Sequence, residues 1–120
     1  MTYEPKQRDI VLIDFEPSRG FEISKRRPAL VMSSDGYNRA TNLVIVCPIT
    51  TTKKVKPFLI PVSAENLMNK TDSKVNTNQV FSFDYTENAK RNIKYVDRLD
   101  EETFYTIVQM FQHNFSFKGY

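Results

Sequence analysis

The sequence holds few of the side chains on which most enzyme sites depend. Its 120 residues include one cysteine, Cys47, and one histidine, His113. A single cysteine excludes an intrachain disulfide, and a single histidine excludes an acid–base pair of two histidines in one chain. No Cys/His cluster has the spacing of a zinc site. Cys47 lies in an apolar run, where a buried, unreactive thiol is more common than a nucleophile.

Motifs for nucleotides and for membranes are also missing. Neither GxxxxGK[ST] nor GxGxxG occurs, so no bound nucleotide or other cofactor is expected. The first residues, MTYEPKQRD, lack the apolar stretch of a secretory signal, and no later run is long enough to cross a bilayer. Together with the single cysteine, these features favour a cytoplasmic protein with no membrane partner.

What the chain does have is a mild excess of positive charge, gathered in two places. The formal net charge is +3. Cations cluster in the first third of the chain, at Arg19, Lys25, Arg26, Arg27 and Arg39, and again at Lys53, Lys54 and Lys56. This distribution permits nucleic-acid binding without requiring it, because any one of these side chains is more often a solvated loop charge.

Apolar runs of strand length alternate with polar loops, and we predict one domain over residues 1–120. Strands are predicted over residues 9–15, 28–32, 43–47, 58–62 and 75–83, with a short extended segment over 95–97. Because proline has no N–H to donate, Pro28 is predicted to begin its strand, and the strand that contains Pro61 is predicted to lie at an edge of the sheet. Residues 33–38 are predicted to form a turn, and residues 63–69 a short helix capped by Ser63.

The clearest predicted element is a C-terminal helix. Asp100 is a good N-cap, and Glu101 and Glu102 suit the positive end of the helix dipole. An apolar stripe then follows helical spacing at Phe104, Ile107, Val108, Phe111 and Phe115. Several short strands and one terminal helix predict a compact, mostly antiparallel, barrel-like β sheet with appended helices.

The polar side chains at the predicted strand ends suit RNA cleavage without a metal. In that reaction the 2′-hydroxyl of the RNA attacks the adjacent phosphate, so the protein need only hold the backbone, stabilise the developing charge and assist proton transfer. An arginine fork matches phosphate oxygens, and a threonine hydroxyl donates to the same group. A magnesium nuclease is an alternative, with ligands of unspecific spacing at Asp9, Asp14, Glu16 and Glu22.

Short motifs follow one another in order along nearly the whole chain. They begin with DIVLID at residues 9–14 and Pro17-x-Arg-Gly20, and continue through Glu22 to Arg27-Pro28-Ala-Leu-Val31. Then come Tyr37-Asn38, Val46-Cys-Pro-Ile-Thr50, Pro57-Phe58, Val62, Gln79-Val80 and Arg98-Leu99. No single motif is specific, but the ordered set resembles the MazF/PemK (Kid) family of bacterial toxin endoribonucleases.

The resemblance implies a fold, an activity and partners. The implied fold is an SH3-like, CcdB/PemK-type β barrel with a C-terminal helix. The implied activity is metal-independent, sequence-selective cleavage of single-stranded RNA, chiefly mRNA, to a 2′,3′-cyclic phosphate and a 5′-hydroxyl. The protein is expected to be a homodimeric toxin of a toxin–antitoxin pair, blocked when its antitoxin covers the RNA groove. Operator DNA is a further expected partner through the antitoxin complex.

The same resemblance assigns site residues. Arg27 is expected to stabilise the phosphate, and Thr50 to bind the phosphate or the 2′-hydroxyl. Glu22 is expected either to be the base for the 2′-hydroxyl or to anchor its loop. RNA contacts are expected from Arg19, Arg26, Lys53, Lys54, Lys56, Gln79 and Phe81. Gln79, in the middle of its predicted strand, would pair with a base edge or with the backbone, and Phe81 would stack on a base or belong to the core.

Three positions depart from the family pattern where RNA would lie. Ile23 stands in place of a glutamine, Asn78 in place of an acidic residue, and Phe81 in place of a basic one. Two rival functions stay open: a CcdB-like toxin that binds DNA gyrase and cuts no RNA, and a catalytically silent relative that binds antitoxin or operator DNA. The departures also leave the RNA target sequence open.

Overall fold

Seven strands and two helices make up the described part of the chain. The computed structural model describes residues 3–16 and 25–116. Strands β1 to β7 span Asp9–Glu16, Lys25–Val31, Leu43–Thr51, Leu59–Pro61, Ser73–Asn76, Phe81–Asp84 and Lys94–Arg98. Helices α1 and α2 span Asp35–Thr41 and Glu101–Gln112, and a 3₁₀ turn covers Glu87–Ala89. The fold is mostly β with a C-terminal helix, as the sequence predicts.

The sheet is antiparallel and is organised around β3. Its strand order is β4–β5–β3–β2–β1–β7, and β6 also pairs with β3. Three strands share β3: β6 pairs along Leu43–Val46, β2 along Val46–Pro48, and β5 along Ile49–Thr51. Within the described residues β4 and β7 do not pair with each other, so the sheet is open rather than a closed barrel.

Strand alternation gives the sheet two buried faces. The helix-side core packs α2 against one face and includes Ile10, Leu30, Cys47, Ile49, Val75, Leu99, Phe104 and Ile107. The second core lies on the opposite face and includes Val11, Ile13, Ala29, Val31, Val44, Val46, Phe83 and Tyr85. Because both faces are covered, the central strands read as continuous apolar runs rather than as alternating ones.

Helix α1 replaces the turn predicted over residues 33–38. The hydroxyl of Ser34 accepts a hydrogen bond from the backbone N–H of Tyr37 at 3.2 Å and caps the helix. The left-handed residue Asn42 ends it. Serine and aspartate favour turns and helix N-caps alike, so the composition of this segment did not separate the two structures.

The helix predicted over residues 63–69 is absent, and polar side chains hold an irregular segment instead. The backbone N–H of Asn66 donates to Asp97 in β7 at 3.0 Å. Lys70 Nζ donates to the carbonyl oxygens of Glu65 and Leu67, at 2.6 and 3.3 Å. These bonds satisfy groups that a helix would otherwise pair internally, and they dock the buried Leu67 against the sheet.

The single strand predicted over residues 75–83 is two strands. β5 pairs with the C-terminal part of β3, while β6 pairs with its N-terminal part, so the chain must turn between them. The side-chain oxygen of Asn76 accepts a hydrogen bond from the backbone N–H of Asn78 at 3.0 Å. The backbone carbonyl of Asn76 accepts another from the backbone N–H of Gln79. The prediction that placed Gln79 in the middle of a strand was therefore wrong.

The C-terminal helix is confirmed, with its cap. Asp100 accepts a hydrogen bond from the N–H of Thr103 at 2.8 Å, and this bond holds the pKa of the Asp100 carboxyl below its ordinary value. Of the predicted stripe, Phe104 and Ile107 are buried, whereas Phe115 lies beyond the last helical residue. Among the described helices, none is long and apolar enough to cross a membrane.

Shortening Ile107 tests the packing of α2. Ile107 has no exposed surface, so Ile107→Ala removes buried methylene groups and leaves a cavity in the helix-side core. We expect a loss of about 2–5 kcal/mol in the free energy of unfolding, measured by urea titration. Tyr105→Ala, on the same helix but with the side chain 69% exposed, should change it by only ~0.5 kcal/mol. Equal losses in the two variants would contradict this packing.

Candidate functional site

β2 and β3 bring Arg27 and Thr50 to one end of the sheet. The recorded pairing of the two strands ends at Ala29 opposite Pro48, and the same register continued by two residues sets Arg27 opposite Thr50. Ala29 belongs to the second core, so alternation places Arg27 on that face, beyond the edge of the core. Arg27 is exposed and Thr50 is half-buried. The two predicted catalytic residues therefore lie on the same face of the sheet, just beyond the last paired residues of β2 and β3.

Two prolines end the β2–β3 ladder beside this pair. Pro28 lies inside β2, which begins at Lys25, and Pro48 lies inside β3; the prediction that these prolines begin and end their strands was wrong. Neither nitrogen has a hydrogen to donate to the ladder. Pro28 is tolerated because β2 at this point is paired only with β1, through Leu12. The recorded ladder therefore stops short of the two site residues.

Arg26 faces away from its neighbour and is paired with a buried carboxylate. Arg26 and Asp14 are cross-strand partners, with 3.6 Å between Arg26 Nη1 and Asp14 Oδ1. Asp14 is buried and also accepts a hydrogen bond from Asn92 Nδ2 at 2.7 Å, while Arg91 Nη1 donates to the Asp14 carbonyl at 3.0 Å. These contacts fix the C-terminal end of β1.

Several predicted site residues lie outside the described residues. The segment over residues 17–24 contains Glu22 and Arg19, together with Ile23, which departs from the family pattern. Its ends are placed, because Glu16 and Lys25 are cross-strand partners in β1 and β2. β1 therefore ends and β2 begins at the end of the sheet that carries the predicted arginine, and the roles assigned to residues 17–24 stay predictions.

The second basic loop begins directly after β3 and so lies next to Thr50. Lys53 Nζ forms an ion pair with Asp72 Oδ2 at 3.2 Å. Lys54 and Lys56 are exposed, and no carboxylate of residues 3–16 and 25–116 forms an ion pair with either. The predicted RNA-steering cations are thus accessible and adjacent to the site, and Lys53 alone of the three is partly neutralised.

Gln79 and Asn78 are exposed in the turn between β5 and β6. The turn is anchored by Thr77, whose hydroxyl donates to the Phe58 carbonyl at 2.9 Å. From the other side, Asn114 Nδ2 at the end of α2 donates to the Thr77 carbonyl at 2.5 Å. The turn is therefore held from two directions while its two amide side chains face solvent.

Phe81 belongs to a group of three aromatic rings. It stacks on Phe83 with 5.7 Å between ring centroids and meets Phe15 edge-on at 5.0 Å. Arg91 lies over the Phe83 ring, 4.4 Å from its centroid. Phe81 is half-buried in this group, which favours the core role over base stacking.

Lys74 is a site neighbour that sequence reasoning missed. It pairs with Thr50 across β3 and β5, and it is buried although it carries a charge. The available sequence signal was its place one residue before Val75, which belongs to the helix-side core. Strand alternation from that apolar position would have put Lys74 on the opposite face, with the site.

Neither cysteine nor histidine offers chemistry at this end of the sheet. Cys47 is buried in the helix-side core, and burial raises the pKa of its thiol to about 12. His113 is exposed just beyond the last residue of α2. Among residues 3–16 and 25–116, no three His, Cys, Asp or Glu side chains converge as metal ligands.

An apolar groove of about 240 Å³ lies near the site but on the other face of the sheet. Pro28, Thr51, Leu67, Met68 and Val96 are among its lining residues. Of the predicted catalytic and RNA-binding residues that the structure describes, none lines it. The candidate site is therefore an open surface at the strand ends rather than this groove.

Comparison with known proteins identifies the family of this chain. Residues 6–115 match the sequence profile of the PemK-like, MazF-like toxin of type II toxin–antitoxin systems. The chain belongs to this family. The match spans both strands that carry the candidate site, together with α2, and confirms the resemblance seen in the ordered motifs.

Curated relatives carry the name of an endoribonuclease. The chain is 36% identical over 63 residues to the endoribonuclease toxin MazF of Escherichia coli K12, a match that covers 52% of this chain and 57% of the relative. It is 35% identical over 83 residues to the endoribonuclease MazF9 of Mycobacterium tuberculosis H37Rv, covering 64% and 70%. The chain thus matches little more than half the length of the Escherichia coli protein.

Solved MazF structures share the fold over nearly the whole chain. The MazE-MazF crystal structure (Form-II) from Deinococcus radiodurans superposes with a TM-score of 0.77 at 26% identity, covering 93% of this chain and 96% of that one. The MazF crystal structure (Form-I) from the same organism gives 0.75 with the same coverage. These neighbours confirm the predicted CcdB/PemK-type fold class.

The raised pKa of Cys47 gives a test of the buried strand β3. At pH 8 a thiol with a pKa of about 12 is almost entirely protonated, whereas the unfolded chain restores its ordinary value of 9.0. We expect the native protein to react with a thiol-disulfide reagent on the order of 10³-fold more slowly than the same protein in guanidinium chloride. Similar rates in the two solutions would show that β3 is open to solvent.

Proposed function

We propose that this chain is a metal-independent, sequence-selective endoribonuclease, an mRNA interferase that cuts single-stranded RNA. The observation that carries the proposal is that Arg27 and Thr50 lie on one face of the sheet, just beyond the end of the β2–β3 ladder, in a chain of the MazF-like toxin family. The endoribonuclease names of the curated relatives support it. The gyrase-binding and silent alternatives have no comparable observation in the structure.

The proposed reaction draws its nucleophile from the substrate. The 2′-oxygen loses its proton and forms a bond to the adjacent phosphorus, the bond from phosphorus to the 5′-oxygen breaks, and that oxygen gains a proton. The products are a 2′,3′-cyclic phosphate and a 5′-hydroxyl. DNA lacks the attacking group, so selectivity for RNA follows from the chemistry itself.

Arg27 and Thr50 stabilise the phosphate during this reaction. The planar guanidinium of Arg27 donates two parallel hydrogen bonds to phosphoryl oxygens while negative charge accumulates on them. The Thr50 hydroxyl donates a further bond from the neighbouring strand. Arg27 does not serve as the base, because an arginine keeps its proton in proteins. Glu22, the carboxylate of the predicted set, is the candidate acceptor of the 2′-proton.

The RNA strand crosses the sheet at the ends of β2 and β3. The exposed Lys54 and Lys56 attract its phosphates, and Lys53 and Arg26 contribute where their carboxylate partners leave them accessible. Gln79, in its anchored turn, offers an amide that can pair with a base edge. Arg19 is assigned to the same path, and Phe81 to packing beneath it.

The biological setting is proposed with the activity. The chain acts in the bacterial cytoplasm as a single toxin domain and as a homodimer, and a cognate antitoxin blocks it by covering the RNA surface. The MazE-MazF crystal structure from Deinococcus radiodurans is a structural neighbour, which supports the antitoxin as a partner. Binding to operator DNA through the antitoxin complex completes the proposed set of partners.

Chelation tests the absence of a metal from the reaction. We expect cleavage of a mixed-sequence single-stranded RNA at defined sites at the same rate with and without EDTA, because a guanidinium and a hydroxyl supply the charge stabilisation. Mapping the cuts identifies the target sequence. Cleavage that EDTA stops and Mg²⁺ restores would replace the proposal with a metal nuclease. Intact RNA beside inhibition of DNA gyrase would replace it with the gyrase-binding function.

Substitution of Arg27 tests its role directly. Arg27→Ala removes the guanidinium that holds the phosphate and should lower kcat about 10³-fold, while Thr50→Ala should lower it about 10²-fold. Arg39→Ala is the matched control, because Arg39 is also an exposed arginine but lies on α1, and it should leave the rate unchanged. Circular dichroism checks that each variant keeps its fold. Wild-type activity in Arg27→Ala would remove that residue from the mechanism.

A further inference from the structure

Lys74 is a buried lysine aligned with the candidate catalytic threonine. Only 9% of its surface is exposed, and its cross-strand partner in β3 is Thr50. Lysine is rarely buried to this extent, because removing an ammonium group from water is costly unless a partner compensates it. The contacts of the Lys74 ammonium group should therefore explain why this side chain is buried.

The face on which Lys74 lies is set by its neighbours in β5. Val75 belongs to the helix-side core and Ser73 lines the apolar groove, so both point to the helix side of the sheet. Alternation directs Lys74 to the opposite face, where register also places Thr50 and Arg27. Thr50 and Lys74 are cross-strand partners, with roughly 5 Å expected between their Cβ atoms, and the β2–β3 register continued beyond its last pair adds Arg27 to the same row.

The ammonium group has one partner among the described residues. Lys74 Nζ donates to the carbonyl oxygen of Lys54 at 2.5 Å, which bends the basic loop back over β5. No carboxylate in residues 3–16 and 25–116 forms an ion pair with it. An ammonium carries three donors, so two remain for another acceptor such as a phosphate oxygen.

We propose that Lys74 is a further catalytic residue, whose ammonium contacts the RNA phosphate that Arg27 and Thr50 hold. The inference rests on the proposed ribonuclease function. The guanidinium and the hydroxyl approach the phosphate from one side of the row, and Lys74 adds a point charge from the other. The bound phosphate supplies negative charge beside this buried lysine. The charge matters most when the phosphorus becomes five-coordinate and its oxygens carry more negative charge.

Three variants separate this role from a purely structural one. Lys74→Met removes the charge and the bond to Lys54 while keeping most of the side-chain volume. Lys74→Gln removes the charge but keeps an N–H donor for the Lys54 carbonyl, and it decides the question should Lys74→Met fail to fold. Lys70→Met is the matched control, because Lys70 also holds a loop through carbonyl oxygens but lies outside the row.

The experiment measures cleavage and binding on one RNA. After the cut site of the wild-type protein has been mapped, kcat and KM are measured on that oligonucleotide. Binding is measured on the same RNA carrying a 2′-deoxy sugar at the cut site, which prevents cleavage, over a series of salt concentrations. We expect Lys74→Met and Lys74→Gln to lose about 10²-fold in kcat. The slope of log Kd against log salt should fall by ~0.7, the value for one lost phosphate contact on a single strand.

The outcomes distinguish the inference from the function on which it rests. Wild-type levels of kcat and an unchanged salt slope in Lys74→Gln, beside active wild-type protein, would overturn the role of Lys74 and leave the ribonuclease standing. Equal losses in Lys70→Met and Lys74→Met, with the salt slope unchanged in both, would also overturn it, in favour of loop support. No cleavage by the wild-type protein would overturn the ribonuclease and the inference together.

Discussion

Strand β3 is the element on which the described site depends, because three strands must share its nine residues. A strand has only two edges, so β6, β2 and β5 pair with successive parts of it. Pro48, opposite Ala29, is the last residue of β3 that pairs with β2, and the preceding residue of β2, Pro28, has no N–H to donate. The ladder between β2 and β3 consequently ends early, and polar side chains emerge where the two strands are no longer joined.

This constraint also explains how a small protein can hold charged groups in fixed positions. The two cores pack against opposite faces of the central strands. Side chains that lie just beyond the edge of these cores therefore have directions set by the packed strands. The buried Asp14 holds Arg26 on one side of β2 and leaves Arg27 free to face the other. Thr77, bonded to Phe58 and to Asn114, likewise fixes the turn that carries the exposed amides of Asn78 and Gln79. Preorganisation of this kind is the main catalytic resource available to a site without a metal.

Sequence reasoning predicted the parts that local signals determine. The N-cap at Asp100 and the apolar stripe through Ile107 were enough to predict α2. The apolar run that ends at Cys47 was enough to predict β3. The rest depended on tertiary pairing. Whether Gln79 lies in a strand or a turn is decided by which part of β3 each neighbour reaches, and Lys74 gains its position only through pairing with β3. The roles of Arg27 and Thr50 came from the family resemblance, and the strand pairing adds that the two lie on one face of the sheet.

The proposed chemistry assigns the nucleophile to the RNA and the electrostatic work to the protein. The most direct measurement replaces a single ribose, at the mapped cut site, with 2′-deoxyribose and follows both binding and cleavage of that oligonucleotide. The proposed mechanism predicts that the altered RNA binds as tightly as the original and is not cut at that position. Continued cleavage there, with a 5′-phosphate on the product, would show that water is the nucleophile and would contradict the account.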